Sequence, residues 1–205
     1  MDKLKTYGQI YDEEFLKKFG EYRDDVEKEK LEKEFEVDVE KIAKLCKIEV
    51  IFDELDVSGS CMNFHSAAND ESSEYSTNKE KREIREIRVN KYEPLVRQRF
   101  TIAHEIGHIL LSHEGISYRD TSYTIYKDLI ERMNEVSANA FAAELLMPER
   151  LLRKALEKTM FELNYDTTQK FSDNDIDYLA ENTAKKMMVS VESLKYRLKN
   201  LNIFR

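Results

Sequence analysis

Arg97-Gln98-Arg99-Phe100-Thr101-Ile102-Ala103-His104-Glu105-Ile106-Gly107-His108-Ile109-Leu110-Leu111 is the stretch on which the reading of this chain turns. Phe100, Ala103, Ile106, Gly107, Leu110 and Leu111 recur at the spacing of one helix face. Within the stretch lies His-Glu-x-x-His, and its spacing has a physical meaning. Residues four apart on a helix stand one above the other, so His104 and His108 can aim two imidazole nitrogens at one point. Zinc accepts neutral imidazole at about 2.0 to 2.1 Å, and a catalytic zinc site takes three protein ligands and keeps its fourth position open. Glu105 then stands beside that position, where a carboxylate can take a proton from water and return it to a leaving amine. The same histidines also fit inert, hydrogen-bonded places on a half-buried helix. The surroundings favour the metal: the chain has four histidines, at 65, 104, 108 and 113, and three of them fall within ten positions of each other.

The 205 residues suffice for one sizeable domain, or one with a small appendage, and for a real core. Charged residues make up 36% and hydrophobic ones 41%, with no Trp and two Pro, the composition of a soluble and mostly helical protein. A net charge of -8 argues against binding nucleic acid through bulk electrostatics, which needs clustered Lys and Arg. No apolar run approaches the roughly 18 residues of a membrane span, and Met1 to Gly8 lacks the apolar core of a secretion signal, so a cytoplasmic protein without membrane contact is expected. Cys46 and Cys61 are too few for a disulfide framework and read as reduced thiols, Cys46 on a helix core face.

Residues 1–34 carry apolar side chains at helical spacing, Leu4 to Phe19, on a densely charged background, which reads as one or two amphipathic helices. A short helix capped by Asp38 is expected between Phe35 and Lys47, then strands at 48–52, around 61–64 and at 84–89, the last with Ile87 and Val89 on one side and Arg88 on the other. The polar stretch 66–82 has almost nothing to bury and reads as an exposed loop. Pro94 is placed to start the helix of the two histidines, and Gly115 to stop it. From Val136 to Met147 the next helix is apolar on nearly every side and reads as a core helix, whose polar residues must find partners. For Glu135 a metal ion is such a partner. Asn139, one turn on, shares its face and can hold a ligating imidazole through its second nitrogen. Helices are expected at 151–163, at 176–188, and from a Ser190-Val191-Glu192-Ser193 capping box to the end. The last two form either a helix-turn-helix or a simple packing hairpin.

Arg97 to His108 together with Glu135-Val136-Ser137-Ala138-Asn139-Ala140-Phe141-Ala142-Ala143-Glu144-Leu145-Leu146-Met147-Pro148 resembles the ImmA/IrrE family of zinc metallopeptidases. Ile87-Arg88-Val89-Asn90 ahead of them, and Val189-Ser190-Val191 with Tyr196-Arg197-Leu198 and Leu201 behind, are similar to the family pattern. The likeness runs from about residue 35 to the C-terminus and leaves out 1–34 and 66–82. It implies an α+β fold: a mainly helical, zincin-like peptidase domain at 35–163 with a small mixed or antiparallel sheet. A charged helical extension at 1–34 precedes it, and a helix-turn-helix-like helical subdomain at 164–205 packs on it.

The resemblance further implies His104, His108 and Glu135 as Zn2+ ligands, Glu105 as general base, and Asn139 behind a ligating histidine, in a Glu-x-x-x-Asn arrangement like that of thermolysin-like enzymes. Family members often carry an acidic residue two before that Asn, where this chain has Ser137. Tyr118, Tyr123, Tyr126 and His113 are open candidates for an oxyanion donor. The implied activity is a zinc-dependent endopeptidase cleaving a helix-turn-helix transcriptional repressor of a phage, mobile-element or stress-response switch, with an extended substrate adding at a sheet edge near 84–90. The alternative is a weakly proteolytic or non-proteolytic regulator that captures a repressor or DNA. Direct nucleic-acid binding is not expected, although Lys185, Lys186, Lys195, Arg197 and Lys199 gather near the C-terminus.

Overall fold

The fold, taken from a computed structural model, is described for residues 4–65, 83–111, 124–166 and 170–204. The expectations for 66–82, His113, Gly115, Tyr118 and Tyr123 lie outside these residues. The architecture is α+β and mainly helical. Two short helices, α1 (Glu13–Lys17) and α2 (Arg23–Lys28), and α3 (Val39–Leu45) lead into strands β1 (Ile48–Asp53), β2 (Gly59–His65) and β3 (Glu83–Asn90). Helices α4 (Leu95–Leu110), α5 (Thr124–Leu146), α6 (Glu149–Glu162), α7 (Asp173–Met187) and α8 (Val191–Asn200) follow.

Side chains punctuate these elements as the sequence suggests. The Asp38 carboxylate accepts from the Lys41 amide at 3.0 Å and starts α3, and Pro94 and Pro148 stand immediately before α4 and α6. Ser190 caps α8 by accepting from Ser193 N at 3.1 Å, but the expected capping box there is not formed. Its third helical position is Ser193, whose hydroxyl accepts from Ser190 Oγ at 2.8 Å instead of reaching the Ser190 amide. The reciprocal box belongs instead to α7, between Ser172 and Asp175.

The sheet order is β1-β3-β2, with β3 parallel to β1 and antiparallel to β2. The edge expected near 84–90 is therefore absent, because β3 is the central strand and Ile87 is flanked by Val50 and Cys61. Alternation of Ile87 and Val89, both fully buried, with half-buried Arg88 reports which face of the sheet is covered and says nothing about lateral position. The outer strand that approaches α4 is β2. At Gly59 a side chain would run into the Thr101 methyl and lie 2.9 Å from Arg88 O, so strand and helix meet where a Cβ is missing.

The core joins all parts of the chain. Ile42, Ala43, Ile87, Val89, Ile102 and Ile106 are buried between α3, the sheet and α4. The apolar face of the N-terminal segment is an aromatic cluster: Tyr11, Phe15 and Phe19 contact one another, and Phe15 and Phe19 reach Phe141 of α5 at ring distances of 5.0 and 6.0 Å. Tyr11 also donates its hydroxyl to Leu145 O at 2.8 Å. Each fully buried aromatic of this kind is worth about 2 to 3 kcal/mol of transfer free energy.

Helix α5 is buried on one face rather than all round. Ala138, Phe141, Ala142, Leu145 and Leu146 are enclosed, but Leu129, Met133 and Val136 are 55%, 60% and 68% exposed. Only the C-terminal half, which the N-terminal aromatics grip, behaves as a core helix.

Candidate metal centre

Two facing helices build the site. His104 and His108 sit one turn apart on α4, and their Nε2 atoms are 3.0 Å from each other. From α5, the Glu135 carboxylate comes to 3.4 Å from His104 Nε2 and 3.2 Å from His108 Nε2. Among the described residues these three side chains offer ligand atoms that all lie within 4.8 Å of one another.

The His104 imidazole is oriented by its surroundings. The His104 ring stacks on Phe100, one turn earlier, with centroids 6.3 Å apart, and its Nδ1 meets Asn139 Oδ1 at 3.1 Å. An amide oxygen only accepts, so Nδ1 carries the proton and donates, leaving the Nε2 lone pair aimed at His108 and Glu135. His104 Nε2 and His108 Nε2, 3.0 Å apart, and the two Glu135 carboxylate oxygens, Oε2 at 3.4 Å from His104 Nε2 and Oε1 at 3.2 Å from His108 Nε2, lie at separations close to the edges of a coordination tetrahedron. Zinc–ligand bonds of about 2.0 to 2.1 Å give edges of about 3.3 Å.

The two sides of the site differ in exposure. The histidine side chains are 16% exposed and that of Glu135 is 59% exposed. Glu135 is therefore far less buried than its apolar neighbours in the sequence imply. What brings the carboxylate here is the close approach of α4 and α5: a Cβ at Gly107 would lie 3.1 Å from the Phe141 ring and 3.3 Å from Ala138 Cα.

A cavity of about 630 Å³ opens beside these groups, and His104, Glu105, Glu135 and Asn139 all line it. The five residues singled out in the sequence thus gather in one place, with His108 joined through its contacts to His104 and Glu135. Two further walls went unnoticed in the sequence. Ser58 and Gly59, just ahead of the strand expected around 61–64, form one side, and Ser190, Glu192 and Ser193 of the α8 entry form another. A glycine beginning a strand was the available signal for the first, since it often marks a close backbone approach. Nothing local marks the second. At the rim, Arg97 is fixed by Ser58 Oγ at 3.0 Å and the Glu93 carboxylate at 3.1 Å. Of the suggested oxyanion donors, His113, Tyr118 and Tyr123 and the side chain of Tyr126 lie outside the described residues.

The family model of M78 peptidases described as the IrrE N-terminal-like domain matches residues 59–199, more than half of the chain. Over 62 residues the chain is 39% identical to the radiation response metalloprotease IrrE of Deinococcus radiodurans. That alignment covers 30% of this chain and 19% of the length of that protein.

Proposed function

Because the chain belongs to the M78 peptidases with an IrrE N-terminal-like domain, we propose that it is a zinc-dependent endopeptidase in which His104, His108 and Glu135 hold the ion and Glu105 carries the proton. The observation that carries this reading is the convergence of two imidazole Nε2 atoms and a carboxylate at 3.0 to 3.4 Å. When bound, zinc supplies a Lewis acid that polarises a scissile carbonyl and acidifies water.

The remaining work falls to side chains. Glu105 takes a proton from the attacking water as the C–O bond forms and delivers it to the amide nitrogen as the C–N bond breaks, leaving an acid and an amine. Asn139 keeps His104 in the tautomer whose Nε2 is free to ligate. The outer edge of β2, beside the cavity at Ser58 and Gly59, is where an extended peptide adds as a strand. In this reading residues 35–163 form the catalytic domain between helical units 1–34 and 164–205, working in the cytoplasm. Among the described residues no helix is long and apolar enough to cross a membrane. The substrate is a helix-turn-helix transcriptional repressor, a class supported by the sequence resemblance and in keeping with the radiation-response name of the relative.

Metal content tests the ligand set. About one zinc per chain is expected in the wild type, with loss in both His108→Ala and Glu135→Ala; zinc retained by Glu135→Ala would remove that ligand from the scheme. Glu105→Gln is expected to keep its zinc and lose cleavage. An unchanged effect of this variant on the repressor would point to capture instead of hydrolysis.

A further inference from the structure

A second cavity of about 580 Å³ lies between α5 and α8, and it is continuous with the metal cavity, because Phe100, Asn139, Glu192 and Ser193 line both. Its own walls are mainly apolar: Val136, Ala140 and Ala143 from α5, faced by Tyr196 from α8. Val136 and Tyr196 are 68% and 66% exposed, so two large apolar side chains face open space at this groove.

The charged groups at the far end are already satisfied. Glu144 pairs with Lys18 at 3.2 Å and with Arg197 at 3.7 Å, and Arg197 also donates to Met147 O at 3.2 Å. What the groove offers an occupant is therefore apolar area, with the Glu192 carboxylate at the shared rim opposing an acidic one. Resting on the peptidase reading, we propose that this groove is a specificity subsite taking a large apolar or aromatic side chain of the peptide substrate.

The distance fits such a role. Ala140 lies five residues beyond Glu135 on α5, about 7.5 Å along the axis at 1.5 Å per residue. An extended peptide covers that span in about two residues at roughly 3.3 to 3.6 Å each. One side chain about two positions from the scissile bond thus falls over the groove, while the backbone remains at the metal cavity. The stripe continues outward through Met133 and Leu129, so a longer substrate meets more apolar surface on the same face.

The test walks a single Phe through an otherwise Ala/Ser/Gly internally quenched peptide and compares each with its all-Ala parent, using zinc-loaded protein. Cleavage is read as kcat/KM, and binding is read by anisotropy on Glu105→Gln. A Phe at one position within three residues of the cleaved bond is expected to raise kcat/KM and affinity about tenfold. Tyr196→Ala, which removes one wall, and Ala140→Trp, which fills the space, are each expected to bring the Phe/Ala ratio close to one. Both residues are exposed, and zinc content checks the fold. A ratio near one in the wild type, or one unchanged in both variants, overturns the subsite. Discriminating binding without any cleavage would instead keep the groove and overturn the peptidase reading.

Discussion

Arg99→Met is expected to lower stability by about 3 kcal/mol while leaving His104, His108 and Glu135 in place. Arg99 sits on α4, its side chain 7% exposed, and its guanidinium makes three bonds to distant parts of the chain. It donates to Glu36 Oε1 at 2.8 Å, to Val37 O at 2.8 Å and to Met188 O at 3.1 Å, where Met188 is the left-handed residue (φ 54°) that ends α7. Methionine keeps most of the packed stem and removes every donor. Two carbonyls then lose their partner, and Glu36, only 13% exposed, is left with Lys33 at 2.8 Å.

Removing one member of a buried ion pair costs about 3 to 5 kcal/mol. Lys33 still neutralises Glu36, which places the value at the low end. For a domain of this size about 1 kcal/mol shifts Tm by roughly 2 to 4 °C, so a fall of about 6 to 12 °C follows. Burial pulls the Arg99 pKa down while the Glu36 carboxylate pushes it up; a guanidinium keeps its proton in proteins, so the loss is level across neutral pH. Urea denaturation followed by circular dichroism, with a Glu36→Gln partner for a double-mutant cycle, measures it. A change under about 0.5 kcal/mol, or strictly additive single effects, would refute the account of Arg99 as the tie between the N-terminal segment, α4 and the α7–α8 turn.

Asn139→Ala is expected to weaken zinc binding about 10- to 100-fold in a chelator competition, because His104 loses the acceptor that fixes its tautomer; equal affinity would sink that role. Asp175 accepts from Ser172 N and Oγ and from the Tyr165 hydroxyl, and these bonds hold its carboxylate below the usual range. Its contribution is therefore complete above the ordinary carboxylate pKa and is lost as pH falls through the lowered one. The stability gap between wild type and Asp175→Asn should shrink in acid, and a gap equal at pH 3 and pH 7 contradicts this. Cys46 is fully buried, and burial pushes its thiol up to about 12. In a Cys61→Ser background it should resist thiol reagents at pH 8 until urea unfolds the chain, and labelling of the native protein would show otherwise.

How much of this was legible in the sequence depended on whether a signal was local. His104, Glu105 and His108 share a helix, so their spacing carried their geometry, and Glu135 and Asn139 were found because they stood polar in an apolar run. Helix starts at Asp38 and Pro94 were legible for the same reason, since capping depends on residues within one turn. Lateral order in the sheet was not. A strand's alternation is the same in the middle as at an edge, so β3 was misplaced. The exposed half of α5 was equally hidden, because Leu129, Met133 and Val136 look like core residues until it is known which elements reach them. Long-range ties such as Arg99 to Met188 leave no local trace at all.

The geometry of the three converging groups is set largely by side chains that touch none of them. Gly107 lets α4 approach the backbone of α5 at Ala138, which lies between Glu135 and Asn139, the two α5 residues that face the histidines. A bulkier residue there would separate the helices by roughly the width of a methyl group and lengthen every contact that crosses between them. One turn further along α5, Phe15 and Phe19 close on Phe141, and Tyr11 holds the Leu145 carbonyl. The C-terminal half of α5 is thereby clamped, while its N-terminal half projects with Glu135 still 59% exposed. A carboxylate so exposed needs no buried counter-charge to be tolerated, so the scaffold can position it without the desolvation penalty a buried one would impose. The N-terminal aromatics, which the sequence sets apart as a charged extension, thus anchor the helix that brings Glu135 to the histidines.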